Sequence, residues 1–228
     1  MHGSETGKNF GDVDVFVSSK NDQTGLVAAK RNILRGGVPA KRIIIERSRP
    51  LSYSRYKIFQ AAQTEYVVVF DDDVYVEDGW FETLAHYFDA YDDVVAVEGM
   101  VGQEGMPWLL KKGERSYGLW NTIFRADVFR KWYPEKWTYA YDDYLIGQFA
   151  LRFGKWVRVP IPGTHRFDMR RSAVWGGIGI REVFGAKSVI NMTKLACMTA
   201  VYAKRKNRYG IEQNLLTIKG IMTGENRR

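Results

Sequence analysis

Residues 66–81 read YVVVFDDDVYVEDGWF, a run of β-branched and aromatic residues that ends in three consecutive aspartates. The apolar run has the length and composition of a strand buried on both faces. Three adjacent carboxylates at its end repel one another, and the repulsion grows as water is excluded. Such a cluster is either a solvated turn or a place that receives a cation. The flanks set the fold class. Upstream, VDVFVSS at 13–19 reads as a first strand and RIIIE at 42–46 as a second, with the helical spacing of GLVAAKRNILRGG at 25–37 between them. Arg55, Ile58, Phe59 and Ala62 share one helical face within RYKIFQAAQ at 55–63. Downstream, Asp78 stands where it can cap a helix whose inner face is Phe81, Leu84 and Phe88, and VVAVEG at 94–99 gives a fourth strand. WVRVPIP at 156–162 reads as one more. Strands alternating with helices predict an α/β fold: a Rossmann-like, mostly parallel sheet with helices on both faces.

In such sheets ligands bind beyond the carboxyl ends of the strands, which is where Asp71, Asp72 and Asp73 fall. Residues two apart on an extended chain face one way, so Asp71 and Asp73 are expected to converge while Asp72 turns aside. Carboxylates suit hard cations such as Mg²⁺ or Mn²⁺, which often bind through one or two carboxylates plus substrate phosphates. A second acidic pair, Asp142 and Asp143, opens the helical segment within YAYDDYLIGQFALRFG at 139–154. Capping requires only one of them, leaving the other free to act as a general base. A helix N-terminus favours the ionised carboxylate, the form a base needs at neutral pH. His165, one of three histidines, follows the last strand and would reach Asp73 if its loop returns to the strand ends.

The segment RYKIFQAAQTEYVVVFDDDV at 55–74 resembles the heart of family 2-type glycosyltransferases of the GT-A fold. That family reads approximately aRN…A.geyivflDdD, with the arginine ten residues before the Glu-Tyr pair, and Arg55 stands ten before Glu65 and Tyr66. YGLWNTIFRADVF at 117–129 is similar to its g.n.afrr acceptor-side segment, and YDDYLIGQFALRFG to its gEDydlalRl.raG, with Asp142 in place of the glutamate. The match runs from about Val13 to His165. It implies a metal-dependent, inverting transfer of sugar from a nucleoside-diphosphate donor, a UDP- or GDP-sugar, to a hydroxyl of a glycan or lipid-linked acceptor. By this resemblance Asp73 binds the divalent metal, Mn²⁺ or Mg²⁺, and His165 completes the site as in some members. Asp71 meets the ribose side or the metal through water, with Asp72 grouped on the nucleotide side. Asp143 is the base, Glu46 and Ser48 contact the nucleobase where the family has vvDdgS, and Arg55 lies near the nucleotide. Ser18 and Ser19 stand where the family often has a proline, a departure that leaves the base undetermined.

Net charge is +8, but residues 1–149 hold 18 Lys/Arg against 22 Asp/Glu, and residues 150–228 hold 16 against 4. The basic C-terminal part predicts anionic partners. Within it, residues 166–186 are Gly-rich and basic and are expected as a loop. Arg166, Arg170 and Arg171 could fold over a diphosphate as a lid, with Gly176, Gly177 and Gly179 as hinges. Residues 187–228 are expected as a helical extension that lies on an anionic membrane, packs on the catalytic domain or joins a second subunit in a homodimer. Residues 1–11 read as a flexible tail and 12–165 as the GT-A catalytic domain. The single cysteine, Cys197, excludes an internal disulfide or a multi-cysteine zinc site and fits a reducing, cytoplasmic setting, with peripheral membrane contact as the variation. No apolar run approaches the roughly 18 residues of a membrane span. Trp120, Trp137 and Trp175 are candidates for stacking on an acceptor sugar. Two other functions compete. A sugar nucleotidyltransferase would normally carry a Gly-rich phosphate loop after the first strand, where SSKNDQTG has a single glycine. A nucleic-acid-binding module leaves both acidic pairs unexplained, so no nucleic acid is expected.

Overall fold

A computed structural model describes residues 10–19, 21–101, 105–111, 119–138, 140–165 and 169–223. These residues fall into two compact units, one within Met1–Ser48, Ser54–Tyr133 and Asp143–Arg166, the other within Arg49–Tyr53, Pro134–Asp142 and Phe167–Arg228. Most of the expected tail at 1–11 lies outside the described residues, as do Arg166 and the side chains of Arg170, Arg171 and Trp175.

The first unit is built on seven strands: β1 (Val13–Ser18), β2 (Ala40–Glu46), β3 (Tyr66–Asp71), β5 (Val94–Val101), β6 (Trp108–Leu109), β7 (Asn121–Arg125) and β8 (Lys155–Ile161). Their order in the sheet is β2-β1-β3-β7-β5-β8-β6, and β4 (Val74–Val76) pairs separately with β9 (Gly163–His165). β1 runs parallel to β2 and β3, and β5 parallel to β8. β7 is antiparallel to both β3 and β5, so it joins β2-β1-β3 to β5-β8, strands that all point one way, while β6 at the edge is antiparallel to β8. The five strands expected from the sequence are all present, whereas β4, β6, β7 and β9 were not foreseen.

Helix α1 (Asp22–Gly36) is capped by Asn21, whose side chain accepts from the Gln23 and Thr24 amides, and closes at Gly37 as its spacing predicts. α1 and α3 (Trp80–Ala90) cover one face of the sheet, where Val15, Val17, Val68, Phe70, Leu84 and Phe88 form a core. α2 (Leu51–Ala61), α4 (Ala126–Phe129) and α5 (Asp142–Ala150) serve the other face, where Phe16, Phe59, Phe124, Phe129, Ile146 and Trp156 interlock. Asp78 does not cap α3. Gly79 occupies the N-cap position without a side-chain bond, and Asp78 instead sits 3.5 Å from Arg35 in an exposed ion pair.

The second unit carries α6 (Met169–Phe184), α7 (Ser188–Lys204) and α8 (Arg208–Thr223), together with a short clasp in which Ser52 Oγ accepts from the Thr138 amide at 2.6 Å. α6 corrects the expected loop at 166–186. Gly177 and Gly179 are packing positions rather than hinges, whereas Gly176 faces open space: a Cβ on Gly177 would stand 2.0 Å from the Thr217 carbonyl oxygen of α8, and one on Gly220 of α8 2.1 Å from that of Val174. Each glycine weakens a helix by about 1 kcal/mol relative to alanine, and the close α6–α8 approach offsets that loss. Among the described residues no helix is long and apolar enough to cross a membrane.

Candidate functional site

Parallel pairing lines up the carboxyl ends of the first three strands in register: Ser18 on β1 stands opposite Glu46 on β2 and Asp71 on β3. One row of side chains therefore crosses the strand ends. Over it, the buried Arg55 of α2 donates from Nη1 to Ser18 Oγ and from Nη2 to Asp71 Oδ1 at 3.0 Å. Ile58 and Phe59, one turn along α2, sit in the core of that face, so the amphipathic helix fixes where the guanidinium points. Beside them Glu46 accepts from the Ser48 amide at 2.6 Å and lies 3.3 Å from Lys57 Nζ, which also donates to Ser48 Oγ at 2.9 Å. Burial pushes the Glu46 carboxyl up, but the Ser48 bonds and the Lys57 charge outweigh it and hold the group below its ordinary range. Lys57 was not foreseen in the sequence, although it lies two residues beyond Arg55.

The three aspartates do not follow the expected alternation. β3 ends at Asp71 and a turn occupies Asp72 and Asp73, so period-two facing lapses at the acids themselves. Asp71 meets Arg55, Asp72 Oδ2 accepts from Ser19 Oγ at 2.5 Å, and Asp73 Oδ1 lies 3.5 Å from His165 Nε2. The chain around His165 does return to the strand ends. Val74 pairs with His165, Tyr75 with Thr164 and Val76 with Gly163 in the β4–β9 ribbon. Gly163 has φ 143°, and a Cβ there would meet the Tyr75 carbonyl oxygen at 2.5 Å, so only glycine closes the ribbon this tightly. The Trp120 ring lies 4.1 Å from the His165 ring and tilted by 42°, against the histidine rather than open to a sugar. Trp137, in the second unit, packs edge-on against Tyr53.

The ribbon's other edge is held by a residue the sequence did not single out. Asn32 of α1 is fully buried; its Nδ2 donates to the Val74 carbonyl at 2.9 Å and its Oδ1 accepts from the Val76 amide at 3.3 Å. Its amide thus takes the place of a neighbouring strand. An asparagine on an otherwise small-residue helix face, next to Ala28, Ala29 and Gly36, is the signal that would have found it.

Asp73 and His165 suit a hard divalent cation through one oxygen and one nitrogen, and their side chains remain 40% and 20% exposed, open to a further ligand. Among the described residues no group of three His, Cys, Asp or Glu side chains gathers, so this pair would leave most coordination positions to phosphate and water. At the start of α5, Asp143 Oδ1 accepts from the Tyr144 amide at 2.7 Å. After α5 the chain reverses through a tight turn in which the Gly154 amide bonds the Ala150 carbonyl, and then enters β8.

The model of the family described as Glycosyl transferase family 2 matches residues 14–155. No curated protein matches the chain in sequence. Among solved structures, glucosyl-3-phosphoglycerate synthase from Mycobacterium tuberculosis, in complex with Mn²⁺, uridine diphosphate and glucosyl-3-phosphoglycerate, is 12% identical. It covers 75% of this chain and 78% of its own, with a TM-score of 0.52. A mycobacterial protein, also 12% identical, covers 71% and 69% with a TM-score of 0.50. Residues 1–349 of TarS from S. aureus cover 95% and 93% at 12% identity, with a TM-score of 0.46. The likeness is one of fold, the GT-A-like arrangement expected from the sequence.

Proposed function

The chain belongs to glycosyl transferase family 2, and from that premise we propose that it moves a sugar from a nucleoside-diphosphate donor to an acceptor hydroxyl, with inversion and with the help of a divalent metal. The observation that carries the reading is the meeting of Asp73 and His165, side chains far apart in sequence, beside a row of polar groups at the strand ends. Asp73 and His165 would hold the metal, and Mn²⁺ is the first ion to test, since the solved relative of the same fold holds it with uridine diphosphate. A divalent cation there would supply positive charge against the diphosphate as it leaves.

The chain's own residues do the rest. Glu46 and Ser48 form the far side of the row and suit the nucleobase of a UDP- or GDP-sugar; Ser18 and Asp71, held by Arg55, suit the ribose. Asp72, tied to Ser19, braces the turn and is assigned to the nucleotide side. Asp143 is the base: it takes the acceptor hydroxyl proton as that oxygen bonds to the anomeric carbon, and the bond to the diphosphate oxygen breaks on the opposite side. The products are the glycosylated acceptor, glycan or lipid-linked, and free nucleoside diphosphate.

Calorimetry with UDP- and GDP-sugars, with and without Mn²⁺, tests the reading. One nucleotide class is expected to bind the wild type with Mn²⁺ and to lose at least about tenfold in affinity with chelator or with Asp73→Ala. Unchanged metal-dependent binding in Asp73→Ala would remove the metal assignment. Release of pyrophosphate in place of nucleoside diphosphate would remove the transferase assignment.

A further inference from the structure

Helix α7 is apolar around most of its circumference, yet only one side is covered. Ser188 and Asn191 are buried, and α8 adds Asn214, whose Nδ2 donates to the Leu195 carbonyl at 3.3 Å, and Gly210, seated against the Tyr202 ring. The opposite side carries Val189, Ile190 and Val201, which are 56%, 58% and 48% exposed, and Met198 at 46% on its flank. Lone exposed apolar side chains are ordinary on a protein surface, but several of them along about 18 Å of one helix, from Val189 to Val201, call for a partner. The charges around the stripe are of one sign. Residues 187–208 contain six Lys or Arg and no Asp or Glu; Lys194 stands between Ile190 and Val201, Lys204 ends α7, Arg205 and Lys206 lie exposed in the turn that follows, and the exposed Arg208 opens α8.

We propose that this outer face of α7 docks on an anionic lipid bilayer, lying in the plane of the headgroups. Charge complementarity selects that occupant. A second copy of the same face would bring Lys194, Lys204 and the basic turn against their own like charges. A nucleic acid would take the cations and leave Ile190 and Val201 unmet. A bilayer surface takes both: the aliphatic side chains enter the acyl boundary, and the lysines extend their stems to reach phosphate. The surface belongs to the helical unit alone and requires nothing of the sugar-transfer reading.

The test is co-sedimentation of the full chain with vesicles of phosphatidylcholine alone or with about one third phosphatidylglycerol. Binding to the anionic vesicles is expected to exceed binding to neutral ones by at least about tenfold, and to fall as salt is raised. Ile190→Glu with Val201→Glu should lower it by at least about tenfold, and Lys204→Ala with Lys206→Ala by somewhat less. All four positions are exposed, and a thermal midpoint equal to the wild type's confirms that the variants fold. Equal partition onto both vesicle types, no partition, or unchanged binding by the Glu variant overturns the proposal. So does a micromolar dimer that the Glu variant dissociates, which would mark the face as a contact between copies.

Discussion

The first unit contains two kinds of ionic contact, and the difference between them separates scaffold from site. Asp14 and Glu98 are fully buried and fully engaged. Asp14 takes Arg42 through both nitrogens, at 2.8 and 2.6 Å, together with the Gln63 and Thr64 amides, and Glu98 takes Arg158 at 2.8 Å and the Trp156 ring N–H at 3.2 Å. Asp73 has, among the described residues, a single partner in His165, at 3.5 Å and in reach of solvent. A buried carboxylate without full compensation is destabilising, so the scaffold pairs are saturated by necessity. On the proposed reading Asp73 receives a ligand, and an acid with that role keeps capacity in reserve.

Substitutions should divide along that line. The largest expected effect is on chemistry: Asp143→Asn should lower transfer by about a hundred- to ten-thousand-fold with donor affinity kept, measured by nucleoside diphosphate release beside calorimetry. Full turnover in that variant would move the base elsewhere. Next, Asp14→Ala should lose about 2–4 kcal/mol in urea unfolding, because it leaves the Gln63 and Thr64 amides without their acceptor, while Asp73→Ala should stay within about 0.5 kcal/mol. Equal losses at the two positions would dissolve the distinction. Asn32→Leu sharpens it, since Asn32 belongs to both classes. Leaving the Val74 carbonyl and Val76 amide unpaired should lose about 1–3 kcal/mol and also weaken metal-dependent donor binding.

Acid gives a gentler test. Burial raises the Asp14 carboxyl, but Arg42 and the Gln63 and Thr64 amides outweigh it, and the group ends below its ordinary range, as does Glu46. Both therefore contribute stability that is whole above the carboxylate range and is lost as pH falls through their lowered values. The urea midpoint should drop between neutral pH and pH ~3, with a shallower drop in Asp14→Asn. The smallest effect is expected at Arg35→Ala. Its pair with Asp78 is largely solvated, and stability should change by less than about 1 kcal/mol.

Sequence reading reached the sheet and the site by different routes. The strands at 13–18 and 66–71 are legible because burial on both faces demands a continuous apolar run, and Arg55 because its distance from Glu65 and Tyr66 is a motif. β7 was not legible as a strand: NTIFR is short, and nothing local to it dictates an antiparallel place between β3 and β5. The 166–186 segment misled because glycine reads as freedom in isolation, whereas Gly177 meets the backbone of another helix that only tertiary packing brings near. Alternation brought Asp71 and Asp73 together on paper, and the turn at Asp72 gave each acid its own partner.

The β4–β9 ribbon has a bearing on how the protein comes into being. One of its strands follows Asp73 and the other, ending in His165, comes after β8 in the chain. A growing chain on the ribosome holds the aspartate long before the histidine exists. On the proposed reading, ion capture through this pair waits until β9 has been made, and a fragment ending before β9 would carry the acidic motif without its mate.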